Sequence, residues 1–397
     1  MIQLGICDPD VTDAACQAYE QEVAALTNLP LRDVPPGADK FVAVRSAPAG
    51  LPVIEVQRAL KSLGFFPGGK IEGICGYRTS SAIRLFQEYV RTIEKRPCTP
   101  DGRFGPESEG HLRRWLAGGL QPFWTTTVDQ WRAGTLPAGE YSEWLALLER
   151  VKARYTAQPS RMLQLVAGAA ACDTRPVSAW NFASIGTPQL IGIRRQQVTG
   201  KFDDVFVMLL KGLVFKFQGS TEPGASEDGR GTPFLVQGQH DYRFGWHKKT
   251  YLALRPRSRG VLVVRSKNDR QLDEGDLANG LEVNATINVH WGGMGQSRDV
   301  KSWSEGCQVI NGAAYINARG DTIDCTPFGA ITPAQATDLG AHKTRGAYTV
   351  LLDLVTALAS DLSGNEVRYT LLVEEDLALA PALSAALAEA KAKLVRM

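Results

Sequence analysis

The stretch that decides how this chain folds and works runs from Ile287 to Ile310 and reads INVHWGGMGQSRDVKSWSEGCQVI. It places His290 at the end of an apolar run and Cys307 in a tight turn after a glycine, with a polar loop between them. A thiol attacks only as the thiolate, and imidazole is the side chain that takes a proton near neutral pH. His290 and Cys307 are therefore predicted to form the two halves of a cysteine nucleophile site.

The residues around this pair favour a strand, a loop and a turn. The β-branched residues in 286–289 predict a strand that holds the histidine at its end. Residues 292–299 follow neither a helical nor a strand period, so we expect a surface loop. Gly306 allows a sharp turn whose backbone N–H groups can point at a developing oxyanion. A buried structural cysteine near an unrelated histidine is the alternative.

This pattern resembles the active-site signature of the L,D-transpeptidases, cysteine enzymes that act on peptidoglycan stem peptides. The family signature is a histidine, a loop of about the length seen here, and Ser/Thr-His-Gly-Cys. By position, the resemblance implies that His290 is the catalytic histidine and Cys307 the nucleophile. It also implies that the backbone carbonyl of Trp291 orients the histidine ring. Ser304 and Gly306 match the remaining turn residues.

The resemblance covers roughly residues 232–310 and has two departures. Glu305 stands where the family turn has a second histidine, and Val309 stands where arginine or asparagine is common. A carboxylate at position 305 can change the acid/base arrangement or the substrate charge that the site tolerates. The chain is therefore expected to be a divergent enzyme, with a catalytically inactive peptidoglycan-binding protein as the alternative.

Other side chains are candidates for substrate binding. Arg298 and Trp303 can engage a stem-peptide carboxylate and its apolar flank, because a guanidinium presents paired donors; simple packing of the loop is the alternative. His240 and His247 lie in a glycine-aromatic segment that walls the substrate cleft in the family. With Asp241 they lack any standard metal-ligand spacing, so neither a metal nor another cofactor is expected. The predicted catalytic residues are Cys307, His290, Trp291 and Gly306, and the predicted substrate-binding residues are Ser304, Glu305, Arg298, Trp303, His240 and His247.

A second pattern lies upstream. An apolar helical stripe ends at Gly64, and a weak internal repeat then follows, once from Glu72 and again from Asp101. In each copy an acidic-Gly turn leads through another glycine to a helix start. The pattern resembles the three-helix peptidoglycan-binding module, and the matching residues are Gln57, Leu60, Leu63, Gly64, Glu72, Gly73, Gly76, Thr79, Phe86 and Gln87. A helical bundle with no ligand is the alternative.

Length and patterning predict several domains, because 397 residues exceed one typical core. From about residue 179 short β-rich runs appear without parallel α/β patterning, so a mainly antiparallel sheet is favoured. The predicted class is multidomain α+β. We expect an N-terminal arm at 1–48, a peptidoglycan-binding-like helical domain at 49–118, a helical connector at 119–175, an L,D-transpeptidase-like domain at 176–365 and a C-terminal helical tail at 366–397.

Composition bears on partners and location. The net charge of +2 gives no reason to expect nucleic acid, and the longest mostly apolar run is too short to cross a bilayer. The first residues lack a positive n-region and an apolar core, so no Sec-type signal is expected. The expected place of action is the periplasm or cell wall. Delivery would then need a non-classical route, such as a phage lysis system or a secretion apparatus with an immunity protein.

The chain has seven cysteines. If Cys307 is the free nucleophile, the other six can form three bridges, although sequence does not determine their connectivity. Pairing the nearest neighbours gives Cys7 with Cys16 and Cys75 with Cys98, which leaves Cys172 with Cys325. Such bridges would indicate an oxidising compartment, and six reduced cysteines are the equal alternative.

The resemblances to the L,D-transpeptidases and to the peptidoglycan-binding module both imply peptidoglycan as the polymer that is bound. They imply a peptidoglycan-modifying enzyme in which the Cys307 thiolate attacks the L,D carbonyl of a stem peptide and forms an acyl-enzyme. With water as acceptor the activity is that of an L,D-carboxypeptidase, and with an amine it is that of a transpeptidase. A cysteine amidase or endopeptidase that cuts elsewhere in the stem is the remaining enzymatic alternative.

Overall fold

The structure is a computed structural model. It describes residues 1–27, 42–135, 138–182, 186–195, 200–224, 231–248, 251–266, 272–294, 299–300, 303–328, 344, 346–362 and 366–395. The helices are α1 (Asp13–Thr27), α2 (Val53–Ser62), α3 (Tyr77–Thr92), α4 (Pro106–Ala117), α5 (Thr125–Arg132), α6 (Glu140–Ala157), α7 (Arg161–Gly168), α8 (Ala347–Asp353) and α9 (Pro381–Val395). The strands are β1 (Ile6–Cys7), β2 (Val44–Arg45), β3 (Thr174–Arg175), β4 (Gln189–Arg194), β5 (Asp204–Leu210), β6 (Leu213–Ser220), β7 (Thr232–Leu235), β8 (Gly238–His247), β9 (Tyr251–Pro256), β10 (Val261–Ser266), β11 (Glu282–Asn284), β12 (Val289–Trp291), β13 (Gln308–Ile316), β14 (Thr322–Asp324) and β15 (Glu366–Val373).

The main sheet closes on itself. Its strands follow the order β12-β9-β8-β15-β4-β5-β6-β13-β14, and β12 also pairs with β13, so the path returns to its first strand. Most neighbours are antiparallel, while β12–β13 and β15–β4 are parallel. Closure through β12 and β13 pairs both sides of the strands on this path, while the short strand β14 pairs only with β13 among the described strands. The predicted multidomain α+β class, with a helical module and a β-rich domain, is confirmed.

The end of the chain differs from the prediction. Residues 366–373 were expected in a helical tail, but they form β15, which lies between β4 and β8 in the main sheet. Seven of its eight residues are buried, so its alternate side chains fill both faces of the wall. Only α9, which begins at Pro381, is helical in the way that the sequence suggested. The remaining domain boundaries stay predictions.

Two buried glutamines explain the internal repeat in the helical module. The side-chain oxygen of Gln57 accepts a hydrogen bond from Gly73 N at 2.9 Å, and Gln87 Oε1 accepts one from Gly102 N at 2.9 Å. Each amide nitrogen also donates to a hydroxyl at the start of the next helix, at 3.0 and 2.9 Å. Both glycines have positive φ, at 72° and 74°, which suits a residue without Cβ. Each repeat is thus a turn closed by one buried amide.

The first residues pack against this module, although an arm was expected there. Ile2 forms a β-bridge with Phe104, and its side chain is buried. Strand β1 pairs in parallel with β2. Asp8 supplies the cap that Pro52 lacks, because its two carboxylate oxygens accept from the first N–H groups of α2 at 2.8 and 2.9 Å. This N-terminal segment therefore stabilises α2 directly.

The helical module docks on the β-rich domain through α3. This helix is buried on almost every side, and its Arg84 donates to both carboxylate oxygens of Asp353 on α8 at 2.7 and 2.5 Å. The hydroxyl of Tyr315 on β13 donates to Glu88 of α3 at 2.7 Å. Apolar residues of the module and of the β-rich domain belong to one continuous core.

Two further predictions concern disulfide bonds and membrane-spanning helices. All seven cysteines are free in the structure, so none of the three bridges that nearest-neighbour pairing suggested is present. Within the described ranges, no helix is long and apolar enough to cross a membrane.

Candidate active site

The closing strand pair of the main sheet brings the predicted histidine and cysteine together. In the parallel pairing of β12 with β13, His290 lies opposite Val309. Asn288, just before β12, lies beside Cys307, and its carbonyl accepts from Gln308 N at 2.8 Å. Side chains two residues apart on a strand share a face, so Asn288 and His290 project to the same side as the thiol.

The turn before the thiol is built by a serine and a glycine. Ser304 Oγ donates to the Cys307 carbonyl at 2.7 Å and accepts from Gly306 N at 3.0 Å. Gly306 has φ 141°, and a Cβ there would lie 2.5 Å from the carbonyl oxygen of Pro233. Only glycine satisfies both constraints. Because its N–H already bonds to Ser304, Gly306 does not offer the free oxyanion donor that we expected; among described residues, none accepts from Cys307 N–H.

The thiol of Cys307 is half-buried and lies between two backbone groups. Its Sγ donates to Thr286 O at 3.4 Å and accepts from Asn288 N at 3.4 Å. Burial raises the pKa of Cys307 to about 11, although the Asn288 N–H acts in the opposite direction. In the described structure Sγ makes no hydrogen bond to His290. The resting group is therefore a thiol at neutral pH, and it must pass its proton on before it attacks.

The ring of His290 is held in one tautomer. Its Nδ1 lies 2.9 Å from the carbonyl oxygen of Trp291, which only accepts, so Nδ1 carries the hydrogen. The Tyr251 hydroxyl also lies 3.2 Å from Nδ1 and donates to the same carbonyl at 3.5 Å. Burial lowers the pKa of His290 to about 4. A neutral imidazole with Nε2 unprotonated results, which is the form that can accept a proton from a thiol.

A second histidine lies directly against the first. The rings of His247 and His290 are stacked with centroids 4.1 Å apart and planes 25° apart. Asn288 Nδ2 donates to His247 Nδ1 at 2.9 Å. Burial, followed by the neighbouring His290, lowers the pKa of His247 to about 2. The structure therefore places His247 at the site, beside the ring that the sequence identified as the base.

His240 is not part of this cluster, which corrects its predicted place in the substrate cleft. Its side chain is fully buried, with Nδ1 3.0 Å from Thr174 Oγ1 and Nε2 3.1 Å from the Val236 carbonyl. Burial lowers the pKa of His240 to about 3. The residue is seven positions before His247 on the same strand, and an odd spacing turns it to the opposite face.

Two other predicted residues, Trp303 and Glu305, lie around the mouth of the site. Trp303 is 42% exposed, and its ring packs edge-on against Trp291 with centroids 5.6 Å apart. Glu305 is exposed and is one of the groups that raise the pKa of Cys307. Arg298 lies outside the described residues. Their roles in substrate binding stay predictions. In the described part of the chain, no group of three or more His, Cys, Asp or Glu side chains could hold a metal ion.

Two residues of the site escaped the sequence reasoning. Asn288 lies within the motif, and its signal was a lone polar residue two positions before the histidine in a β-branched run. Tyr251 has no local signal, because only the pairing of β8 with β9 places it opposite His247. Tertiary pairing, and not the motif, completes the surroundings of the base.

Comparison with known families identifies part of the chain. Residues 49–92 match the family described as "Putative peptidoglycan binding domain". The chain therefore carries a peptidoglycan-binding module, and this part of the predicted resemblance is confirmed. The match supports a role connected with the cell wall.

The other comparisons add little. A crystal structure from Clostridium acetobutylicum, described as a fused Zn-dependent amidase/peptidase/peptidoglycan-binding domain-containing protein, is 14% identical, with 66% of this chain and 86% of that chain covered and a TM-score of 0.22. A TM-score this low carries no argument about fold or chemistry. Comparison with curated proteins gave no match.

Proposed function

We propose that this chain is a cysteine enzyme that acts on peptidoglycan stem peptides by acyl transfer, as an L,D-transpeptidase, an L,D-carboxypeptidase or both. One observation carries the proposal: the Cys307 thiol, directly before β13, and the neutral His290 imidazole on the parallel strand β12 lie on one face, and no described residue bonds to His290 Nε2. The peptidoglycan-binding module at residues 49–92 supports the same polymer as substrate.

The proposed reaction begins with proton transfer. The Cys307 Sγ–H bond breaks and an N–H bond forms at His290 Nε2, while Nδ1 keeps its hydrogen bond to the Trp291 carbonyl. The thiolate attacks the L,D carbonyl, and the imidazolium then returns its proton to the departing amine of the terminal D-residue. Water or a second amine resolves the thioester through the same histidine.

Stabilisation of the oxyanion needs a donor that is free in the resting site. The Cys307 N–H meets this condition, since no described residue accepts from it. The Gly306 N–H would first have to leave Ser304 Oγ, to which it is bonded at 3.0 Å. We therefore assign the first oxyanion donor to the backbone of Cys307 itself.

The mouth of the site suggests which groups meet the substrate. The exposed ring of Trp303 offers an apolar surface beside Trp291. Glu305 offers an exposed carboxylate near the thiol, which favours a stem residue with a free ammonium over one with a carboxylate. Replacement of the family histidine by Glu305 would in this way change substrate charge preference.

Muropeptide digestion tests the proposal. Purified wild type, Cys307→Ala and Cys172→Ala are incubated with defined tetrapeptide muropeptides, and the products are identified by mass. Cys172 is the matched control because it is another half-buried free cysteine, located outside the site. We expect loss or exchange of the terminal D-residue with wild type and Cys172→Ala, and at least about 1,000-fold less with Cys307→Ala. Equal products from wild type and Cys307→Ala would refute the nucleophile, and cleavage elsewhere in the stem would indicate an amidase or endopeptidase.

A catalytically inactive peptidoglycan-binding protein is the second candidate. It is favoured by the raised pKa of Cys307 and by the lack of a hydrogen bond from its thiol to His290 within the described structure. Sacculus pull-down together with an unchanged muropeptide profile would select this function. Expression in a periplasm with an added signal, followed by cell lysis assays, tests the proposal of a delivered antibacterial or phage-derived enzyme with an immunity partner.

A further inference from the structure

We infer that His247 is a positioning residue: its ring, anchored by Asn288, fixes the ring plane of His290 and leaves His290 as the single carrier of the Cys307 proton. The inference rests on the function proposed above. It concerns a side chain that lies outside the histidine–cysteine motif by more than forty residues of sequence.

The first step is steric. The His247 ring packs against two other rings, with its centroid 4.1 Å from that of His290 and 5.1 Å from that of Tyr251. The rings of Tyr251 and His290 also contact each other, with centroids 6.4 Å apart, so the three rings form one cluster. His247 is 6% exposed and His290 is 1% exposed. An imidazole that is stacked and buried in this way does not turn freely about its Cβ–Cγ bond. The orientation of the His290 ring, and with it the direction of the Nε2 lone pair, is therefore fixed, as a proton transfer requires.

The second step concerns the anchor. Asn288 contacts both sides of the proposed reaction: its backbone N–H donates to Cys307 Sγ, and its side-chain amide donates to His247 Nδ1. In this orientation of the amide its NH2 group faces His247 Nδ1 and only donates, so Nδ1 accepts and the ring is neutral with its hydrogen on Nε2. Asn288 Oδ1 has no hydrogen-bond partner among the described residues. Protonation of His247 at Nδ1 would remove this hydrogen bond. Asn288 thus forms hydrogen bonds both with the Cys307 thiol and with the stacked ring of His247.

The third step is electrostatic. Two imidazolium rings with centroids 4.1 Å apart would repel each other strongly, so the pair holds at most one added proton. The groups around Nδ1 decide which ring takes it. His290 Nδ1 faces the oxygens of Trp291 and Tyr251, which stabilise a cation, while His247 Nδ1 faces an amide donor. The proton therefore goes to His290.

Other charged groups face the same cluster. Lys248 disfavours a cation on either ring, and Arg255 on β9 does so for His247. Both also favour the Cys307 thiolate, whereas Glu305 opposes it. None of these groups distinguishes the two rings as sharply as the opposite hydrogen-bonding environments of their Nδ1 atoms.

The variants separate ring packing from proton control. His247→Phe keeps a flat buried ring and removes the nitrogen that accepts from Asn288. His247→Ala removes the ring and admits water to His290. Asn288→Asp replaces the amide donor with a carboxylate acceptor, which favours a hydrogen on His247 Nδ1. Thermal unfolding of each purified variant confirms that it is folded before any other measurement.

Two readouts do not depend on peptidoglycan chemistry. The rate of Cys307 alkylation by iodoacetamide is measured against pH in the Cys172→Ala background, with the modified residue identified by mass. Imidazole ¹⁵N NMR reports which nitrogen of each ring carries hydrogen. The third readout is kcat and KM with tetrapeptide muropeptides as a function of pH.

We expect hydrogen on Nδ1 of His290 and on Nε2 of His247 in the wild type. For His247→Ala we expect kcat to fall at least about 10-fold, and the acid limb of the pH profile to move up toward the ordinary histidine pKa of about 6.5. For His247→Phe we expect a smaller fall in kcat, an unchanged KM and little movement of that limb. In Asn288→Asp, His247 instead of His290 should be the ring that protonates first as the pH falls.

The outcomes distinguish this inference from the proposed function. An active wild type with unchanged kcat and pH profile in His247→Ala, or hydrogen on Nδ1 of His247 in the wild type, would overturn the inference alone. Unaltered muropeptides with the expected tautomers and a shifted alkylation profile in His247→Ala would refute the proposed function and leave the positioning relationship standing.

Discussion

Arg84 of the helical module and Asp353 of the β-rich domain form a bidentate ion pair whose two side chains are 6% and 2% exposed. Taking two charges out of water is costly, so such a pair contributes most through its alignment and through the penalty of breaking it. Here it joins α3 to α8, which in turn packs against β13, the strand that follows the nucleophile. The peptidoglycan-binding module is therefore docked on the domain that carries the candidate site.

Breaking this pair should destabilise the whole chain. Arg84→Met leaves the Asp353 carboxylate buried without its partner, and we expect the free energy of unfolding to fall by about 3–5 kcal/mol. The double variant with Asp353→Leu should recover much of the loss. Urea denaturation of the full chain measures both effects.

The matched control is Arg58, which pairs with Glu55 on the exposed surface of α2. Arg58→Met should change the free energy of unfolding by less than about 0.5 kcal/mol. If Arg84→Met were as mild as Arg58→Met, the ion pair would not be what holds the module in place.

Gly306 should tolerate no side chain. Gly306→Ala brings a Cβ to 2.5 Å from the Pro233 carbonyl and also places alanine at φ 141°. We expect loss of the turn that presents Cys307, with a destabilisation above about 3 kcal/mol and loss of activity on muropeptides. Gly280→Ala is the control, because Gly280 also has positive φ but a Cβ there meets nothing within 4 Å. Because its ψ is −169°, a conformation almost restricted to glycine, Gly280→Ala should cost about 1–3 kcal/mol through backbone strain alone; similar losses in both variants would show that the contact with Pro233 is unimportant.

The hydroxyl of Tyr251 should assist the base without contributing to substrate binding. Tyr251→Phe removes the oxygen that lies 3.2 Å from His290 Nδ1. We expect kcat to fall about 5- to 10-fold, equivalent to about 1 kcal/mol, with KM unchanged. Tyr348→Phe is the control, since its hydroxyl donates to the backbone of the same strand at Val289 O, at 3.1 Å. Tyr348→Phe should lower the free energy of unfolding and leave kcat unaffected, and the reverse ranking of the two kcat values would contradict the assignment.

Buried His240 should make the fold sensitive to acid. Its pKa in the folded chain is lowered from 6.5 to about 3 by burial, so below pH 6.5 the unfolded chain binds a proton that the folded chain does not. The stabilising contribution is thus complete above about pH 6.5 and declines as the pH falls toward 3. At pH 5 the loss amounts to about 2 kcal/mol. For His240→Gln, the free energy of unfolding, measured by urea denaturation between pH 7 and 5, should depend less steeply on pH, by about one bound proton. An unchanged dependence of this free energy on pH would exclude His240 as the source.

Much of the candidate site could be predicted from local sequence. A short strand at His290, and a serine and a glycine that form the turn at Cys307, are short-range features that depend on β-branching and on one residue without Cβ. The strand is Val289–Trp291, so residues 286–288, which were predicted to belong to it, precede it. The helical module was also predictable, because a turn closed by one buried amide recurs twice and needs the same residue types each time.

The errors arose where distant segments meet. His240 and His247 look alike in sequence, yet strand alternation buries one in the core and stacks the other on His290. Residues 366–373 were predicted to lie in a helical tail, but a central place in the sheet makes them a strand. Both outcomes depend on which strands become neighbours, and the sequence of a single strand does not specify the strands with which it pairs.

By itself, the sequence determined the thiol, the imidazole, the turn that presents one to the other and the repeat that builds the helical module. Those features are local, since each depends on residues within about thirty positions and on their own backbone preferences. Only the tertiary structure decided the stacking of His247 on His290, the anchoring role of Asn288 and the docking of α3. Each of these requires side chains from separate strands or helices to share a buried volume, where few hydrogen-bond partners are available to a polar atom.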